Sequence, residues 1–369
     1  MNNYTLEDDK FIIREYEKMP PFSSFLPGLA GVRGIPIWTY YTNRGQAVHS
    51  FGIHNKDNAI MEFNPANTVY ENAGIKGFRT FIRVDGDFFE PFVPFDTKAE
   101  RSMSVEKNRI DIAEESHRLK VEVGYFVLPN ESMGALVRQV KITNTGDTEK
   151  ELEVLDGMAK MIPYGITNTT YKAVSNLMRS WTDIRNLENG APYVTMRGAA
   201  NDSAEAQETE GGYFYLPMNA EGELLPIVYD QTVVWGYETS LVYPVCFAEG
   251  GLEQVHAKEQ CFYNKIPCMM TELKTSVAPG ASVEFNEMIG FSGSVQQLNA
   301  MTPVFTAKGY VAKKAQEAQE LIASFVKDVT THTAVPKFDK YVEQCYMDNF
   351  LRGGYPYVLN KPELFTTVQ

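Results

Sequence analysis

Polar and apolar residues alternate with period two over several long stretches of the chain. Arg109 to Ala113, Leu119 to Val127 and Ala135 to Thr143 read this way, as does Lys150 to Asp156, where Leu152 and Val154 oppose Glu151 and Glu153. Such alternation predicts antiparallel strands with one face buried and the other wet. Asn144-Thr145-Gly146-Asp147 supplies a turn between two of them, and Asp85-Gly86-Asp87 between Phe78–Val84 and Phe88–Phe92 is a strong hairpin signal. A second hairpin joins Ile35–Tyr41 to Ala47–Ile53 through Thr42-Asn43-Arg44-Gly45-Gln46. Further strands are expected at Phe11–Ile13, Ile60–Phe63, Tyr213–Leu216, Ile227–Tyr229, Thr232–Trp235, Leu241–Tyr243 and Ser282–Gly290. Asn201 to Gly212 is acidic and small, which suits a surface loop.

The period then changes. Val311, Ala315, Ala318, Leu321, Ile322, Phe325 and Val326 recur every three or four residues, opposite Lys313, Lys314, Gln316, Glu317 and Glu320, so this run predicts an amphipathic helix. A second helix is expected from Lys337 to about Leu351, broken by Gly353-Gly354. The pattern therefore predicts a mainly β protein: a large antiparallel sandwich over 1–300, a helical linker over 301–335, and at 336–369 the start of an α-helical domain. A helical pair after so much β structure reads as the entrance to a further domain, and the chain as the front of a longer protein.

Composition narrows the partners. With 34 basic against 47 acidic residues the formal charge is −13, which disfavours nucleic acid or an anionic membrane. Aromatic content of 12% suits a neutral ligand such as a sugar. No apolar run reaches the roughly 20 residues that span a bilayer, and the start is acidic where a signal peptide would be basic, so the expected location is cytoplasmic. Cys246, Cys261, Cys268 and Cys345 have no metal-ligand spacing, nor do the five histidines, and no glycine-rich phosphate loop is present. Neither a metal nor a cofactor is expected.

Candidate binding residues lie where the pattern leaves polar groups unexplained. Asn43, Arg44 and Gln46 put two amides and a guanidinium at one hairpin tip, behind a loop shaped by four prolines and three glycines between Pro20 and Pro36. Asn and Gly are also ordinary turn residues, so a plain turn is the competing reading. Arg79, between Phe78 and Phe81, can hold a ligand or pair with a nearby carboxylate. Asp348 and Arg352 share one helical face, either as an exposed pair or as groups aimed at a sugar. Asp85/Asp87 and Glu114/Glu115 read as turn and surface residues. Trp38 and Trp235 fit a sandwich core better than a sugar platform.

Five stretches together resemble the N-terminal part of bacterial glycoside phosphorylases of the cellobiose and β-glucan phosphorylase type. They are Pro21-Phe-Ser-Ser-Phe-Leu-Pro-Gly-Leu-Ala-Gly, Tyr41-Thr-Asn-Arg-Gly-Gln, Ile60-Met-Glu-Phe-Asn-Pro-Ala-Asn, Gly77-Phe-Arg-Thr-Phe and Tyr346-Met-Asp-Asn-Phe-Leu-Arg-Gly-Gly-Tyr-Pro. The resemblance implies a super-β-sandwich, a helical linker and an (α/α)6 barrel of which this chain holds only the truncated start. It also implies a homodimer and inverting phosphorolysis, with inorganic phosphate as co-substrate and a β-glucan or glucose disaccharide as partner. The acid of that reaction lies in the barrel, so no catalytic residue is expected here and the chain alone is expected to be inactive. Asn43, Arg44, Gln46, Arg79, Asp348 and Arg352 remain as substrate-binding candidates. A stand-alone carbohydrate-binding sandwich and a scaffold or dimerisation domain are the alternatives; the terminal helices favour the phosphorylase.

Overall fold

The computed structural model describes residues 3–7, 9–30, 37–94, 98–198 and 209–350. Its strands begin with β1 (Tyr4–Glu7), β2 (Lys10–Arg14), β3 (Ser23–Phe25), β4 (Ile37–Thr42), β5 (Val48–Ile53) and β6 (Ala59–Met61). After helix α1 (Ala66–Asn72) come β7 (Phe78–Val84), β8 (Asp87–Phe89), β9 (Glu100–Val105), β10 (Ile110–Ser116), β11 (Leu119–Val127), β12 (Ala135–Asn144) and β13 (Lys150–Met158). Helix α2 (Asn168–Met178) precedes β14 (Thr182–Arg185), β15 (Tyr193–Met196), β16 (Gly212–Asn219) and β17 (Ile227–Val228). Helices α3 (Gln231–Trp235) and α4 (Val245–His256) lead to β18 (Met269–Val277) and β19 (Ser282–Ser292), and α5 (Val295–Phe305), α6 (Tyr310–Val326) and α7 (Pro336–Phe350) follow.

The strands form three antiparallel sheets. Ten run in the order β1-β2-β9-β10-β11-β12-β19-β16-β15-β14, five as β17-β18-β13-β7-β8 and four as β3-β4-β5-β6. One face of the large sheet packs on both smaller ones, with Ile112, Val123, Tyr125 and Phe285 meeting Ile82, Val154, Phe51 and Ile53. This is a β-sandwich, and the alternation of the sequence produces it: in β12, Val140 and Ile142 point inward while Gln139, Lys141 and Thr143 stay partly wet.

Each sheet's outer face is covered by helices where it is apolar. Phe126, Val137, Phe214 and Met288 on the large sheet pack against Leu298, Phe305 and Val311 of α5 and α6. Phe81, Leu155 and Met270 carry α3 and α4, with Trp235 and Phe247 between them. Trp38, Tyr40 and Ala59 meet Val69 and Tyr171 of α1 and α2. Val311, Ala318, Ile322 and Val326 of α6 are buried as their spacing predicts, but Lys314, expected on the wet face, is buried too, because its Nζ lies 2.7 Å from Glu131 and 2.8 Å from Glu317.

Three expectations need correction. Thr232–Trp235 is helical, because Asp230 accepts from the Thr232 backbone N–H at 2.9 Å and caps α3; a four-residue apolar run has no period of its own to reveal this. Leu241–Tyr243 is no strand, since Leu241 takes a left-handed φ of 62° in a turn. Glu114 is not a surface residue: it is buried, accepting from Arg101 Nε at 2.7 Å and the Phe92 N–H at 2.5 Å. Helices α1, α2, α4 and α5, which the alternation does not predict, lie between the strands. Much of the predicted acidic loop at 201–212, and all of 351–369 with Arg352, lie outside the described residues.

Candidate functional site

The β4–β5 hairpin forms as expected, with Tyr40 opposite Ser50 and a bulge before its tip. Its tip is turned into the protein. Asn43 is fully buried; its Nδ2 donates to the carbonyls of Tyr16 at 2.9 Å and Pro20 at 3.0 Å, and its Oδ1 accepts from the Phe22 N–H at 2.9 Å. The amide thereby shapes the proline-rich entry to β3. Arg44 is half-buried, and its guanidinium donates to the carbonyls of Asn43 at 2.7 Å and Met19 at 3.1 Å.

Gln46 enters the sandwich interior. Its Oε1 accepts from Arg138 Nη2 at 2.5 Å and its Nε2 donates to Thr80 Oγ1 at 2.9 Å. Arg138 is fully buried; it pairs with Asp156, lies 3.5 Å from Glu287 and stacks 5.0 Å above the Phe78 ring. The Tyr215 hydroxyl donates to Glu287 Oε1. Two buried carboxyls thus share one cation. Burial, and then repulsion from Asp156, pushes the Glu287 carboxyl up to about 8, so at neutral pH this group holds a proton. Buried contacts of Arg138 with Asp156, and of Gln46 with Arg138 and Thr80, join all three sheets, so the cluster serves as a lock between them.

Arg79 is buried beside β13, donating to Glu90 through Nε at 2.7 Å and Nη2 at 2.6 Å and to the Val242 carbonyl at 2.9 Å. It holds the turn after α3 against the five-stranded sheet. Of the two roles open to Arg79 in the sequence, this is the pairing with a nearby carboxylate, Glu90.

Asp348 has a different setting. A cleft of about 290 Å³ lies between the free edge of β3 and the last turn of α7, lined by Ser23, Ser24, Phe25, Tyr40, Asp348 and Asn349. Phe25 and Tyr40 belong to an aromatic cluster, their ring centres 5.4 Å apart, which continues to Phe63 and Trp38. Gln344 Nε2 donates to Asp348 Oδ1 at 3.2 Å, one turn earlier on the same helix. Burial, and then the nearby Asp348 charge, holds the Tyr41 phenol well above its ordinary value. Hydroxyls, an amide and a carboxylate beside aromatic rings are the groups that bind sugar hydroxyls and the apolar face of a pyranose. Among the described residues that line the cleft there is no cation.

No protein-family model matches the chain, and no curated protein matches its sequence. Three solved structures share parts of its outline. A bacterial glucoamylase complexed with acarbose aligns over 91% of this chain and 44% of its own, at 10% identity and a TM-score of 0.44. A polysaccharide lyase aligns over 71% of this chain and 33% of its own, at 11% identity and 0.41. An α-mannosidase from Bacteroides thetaiotaomicron aligns over 94% and 42%, at 8% identity and 0.30. The chain spans less than half the length of each of these proteins. Likeness of this degree fixes neither family nor activity.

Sequence reasoning missed Ser23, Ser24 and Tyr40 as candidates. Ser23 and Ser24 were visible as small polar residues in an aromatic run, but only the return of α7 puts them beside Asp348.

Proposed function

We infer that this chain provides the β-sandwich and linker of a carbohydrate-active enzyme, and that the enzyme is an inverting glycoside phosphorylase acting on cellobiose-like disaccharides or longer β-glucans. One observation carries the reading. Ser23-Ser24-Phe25 and the α7 segment around Asp348, from the first and last of the stretches that resemble the phosphorylases, line a single cleft of sugar-binding chemistry. In the reaction, a phosphate oxygen attacks the anomeric carbon, the bond to the leaving oxygen breaks, and a carboxylic acid gives that oxygen its proton, yielding α-glucose 1-phosphate and a shortened glucan. Asp348 is the only carboxylate among the described residues that line the cleft. It is assigned to positioning a sugar hydroxyl, and the acid and the phosphate site to sequence outside this chain.

The reading includes a homodimer and a cytoplasmic setting; among the described residues no helix is long and apolar enough to cross a membrane. The test is phosphate release from glucose 1-phosphate with cellobiose or glucan oligomers as acceptors. The 369-residue chain alone releases none, while a product that includes a downstream helical domain does. In that product Asp348→Asn raises KM for the acceptor about tenfold, the loss of one charge-assisted hydrogen bond. Turnover by the chain alone sinks the assignment of the acid, and an unchanged KM sinks the role of the cleft.

A further inference from the structure

A groove of about 660 Å³ lies on the outer face of the ten-stranded sheet. Helices α5 and α6 cover the apolar part of that face and leave this part open. Its wall is the junction of the two helices, Ala307 to Ala312, and the turn at Gly222. A Cβ at Gly222 would sit 1.9 Å from the Thr306 carbonyl, so only glycine lets turn and junction close the wall.

Strand register places one polar row across the groove floor. Ser104 stands opposite Asp111, Asp111 opposite Gly124, Gly124 opposite Gln139, and Gln139 opposite Asn286. Gly124 has no side chain to fill its place, and Arg109 does so instead. A Cβ there would lie 2.2 Å from Arg109 Nη2 and 2.4 Å from Asp111 Oδ1. In that slot Arg109 donates through Nε to Asp111 at 2.8 Å and through Nη1 to Gln139 Oε1 at 2.8 Å. Gln139 Nε2 then donates to Asn286 Oδ1 at 3.2 Å. The outcome is a carboxylate, a guanidinium and two amides in line over four strands.

The charges of the groove are spent within the chain. Lys10 pairs with Glu106 at 2.7 Å, Lys120 with Glu122 at 2.6 Å, Lys141 with Glu284 at 2.8 Å and Arg109 with Asp111 at 2.7 Å. No lining cation is left over for an anion, and no lining carboxylate for a metal ion. Hydrogen-bonding capacity does remain. Among the described residues Asn286 Nδ2 has no partner. A neutral ligand rich in hydroxyls meets both conditions. Adjacent strands lie about 4.8 Å apart, close to the advance per ring of an extended β-linked glycan, so successive polar groups of the row face successive rings. We propose that this groove is a second, non-catalytic binding site for a neutral oligosaccharide chain, running across β10, β11, β12 and β19. It does not depend on the reaction proposed above.

The experiment is isothermal titration of the 369-residue chain with cellotetraose, laminaritetraose and maltotetraose, with amide hydrogen exchange to locate the ligand. At least one tetrasaccharide binds and slows exchange in β10 to β12. Asn286→Ala and Gly124→Ala, the latter by pushing Arg109 out of its slot, each weaken that binding about tenfold, while Glu320→Gln, on the exposed face of α6 outside groove and cleft, leaves it within about twofold. Unchanged thermal unfolding shows that each variant is folded. Absence of binding of all three sugars at about 10 mM overturns the proposal, as does binding that both groove variants leave intact. If Asp348→Asn alone abolishes binding, the groove is not the site and the cleft reading stands.

Discussion

Two polar clusters sit back to back on the same pair of strands. Arg138 and Gln139 are neighbours on β12, and opposite them Glu287 and Asn286 are neighbours on β19. The pleat sends Arg138 and Glu287 into the dry space between the sheets and Gln139 and Asn286 out to the groove. The inner cluster draws on all three sheets and the hairpin tip, through Asp156, Thr80 and Gln46, and is closed from water. The outer row is aligned by register alone and keeps donors to spare. Burial, rather than residue type, separates a structural lock from a binding surface here: arginine, carboxylate and primary amide occur in both.

The sharpest way to break this contrast is to remove the inner cation. Arg138→Met leaves the Asp156 carboxylate buried without a counter-charge and is expected to cost about 3–5 kcal/mol, read as a fall in the urea midpoint. A loss below about 1 kcal/mol would mean that water reaches the cluster and that it is no lock.

Next in size is Glu287→Gln, which mimics the protonated acid. The folded carboxyl is held near 8 and an unfolded one titrates near 4.5, so between these values the native state binds one more proton than the unfolded state. Stability from this group is therefore lost as pH rises from about 4.5 to about 8, and then levels off. The variant is expected to flatten that decline and to be more stable than the parent at pH 8, with much less difference near pH 5. Parallel stability curves for parent and variant across this window would place the proton elsewhere.

Smallest is the effect of Gln139→Ala on folding, about 0.5 kcal/mol or less in the same urea titration, because its partners remain wetted. If it destabilises as much as Arg138→Met, the outer row is structural too and the contrast fails.

The strands were legible wherever one face is wet. β11, β12 and β13 follow directly from alternation, and the Asp85-Gly86 turn from its two left-handed residues, φ 51° and 96°. Glu114 was legible as well, since period two places it on the side of Ile110 and Ile112. Reading it as half of a surface pair ignored that rule. The short helices were hidden because runs such as Val233-Val234-Trp235 are buried on every side. The roles of Gln46 and Arg79 were hidden for another reason. Gln46 meets Arg138, 92 residues further on, and Arg79 meets the Val242 carbonyl, 163 residues further on, through contacts between sheet, loop and hairpin that no local pattern encodes. The outer row is likewise invisible until register lines up Asp111, Gly124, Gln139 and Asn286.

The cleft at β3 also sets a timetable for synthesis. Ser23 leaves the ribosome more than three hundred residues before Asp348. At roughly 5–20 residues per second, that interval lasts between about a quarter of a minute and a minute. Throughout it β3 is the bare rim of the four-stranded sheet, open to pairing with a neighbouring nascent chain. Protection arrives only with the closing turn of α7, so stalled or shortened products are the ones expected to aggregate.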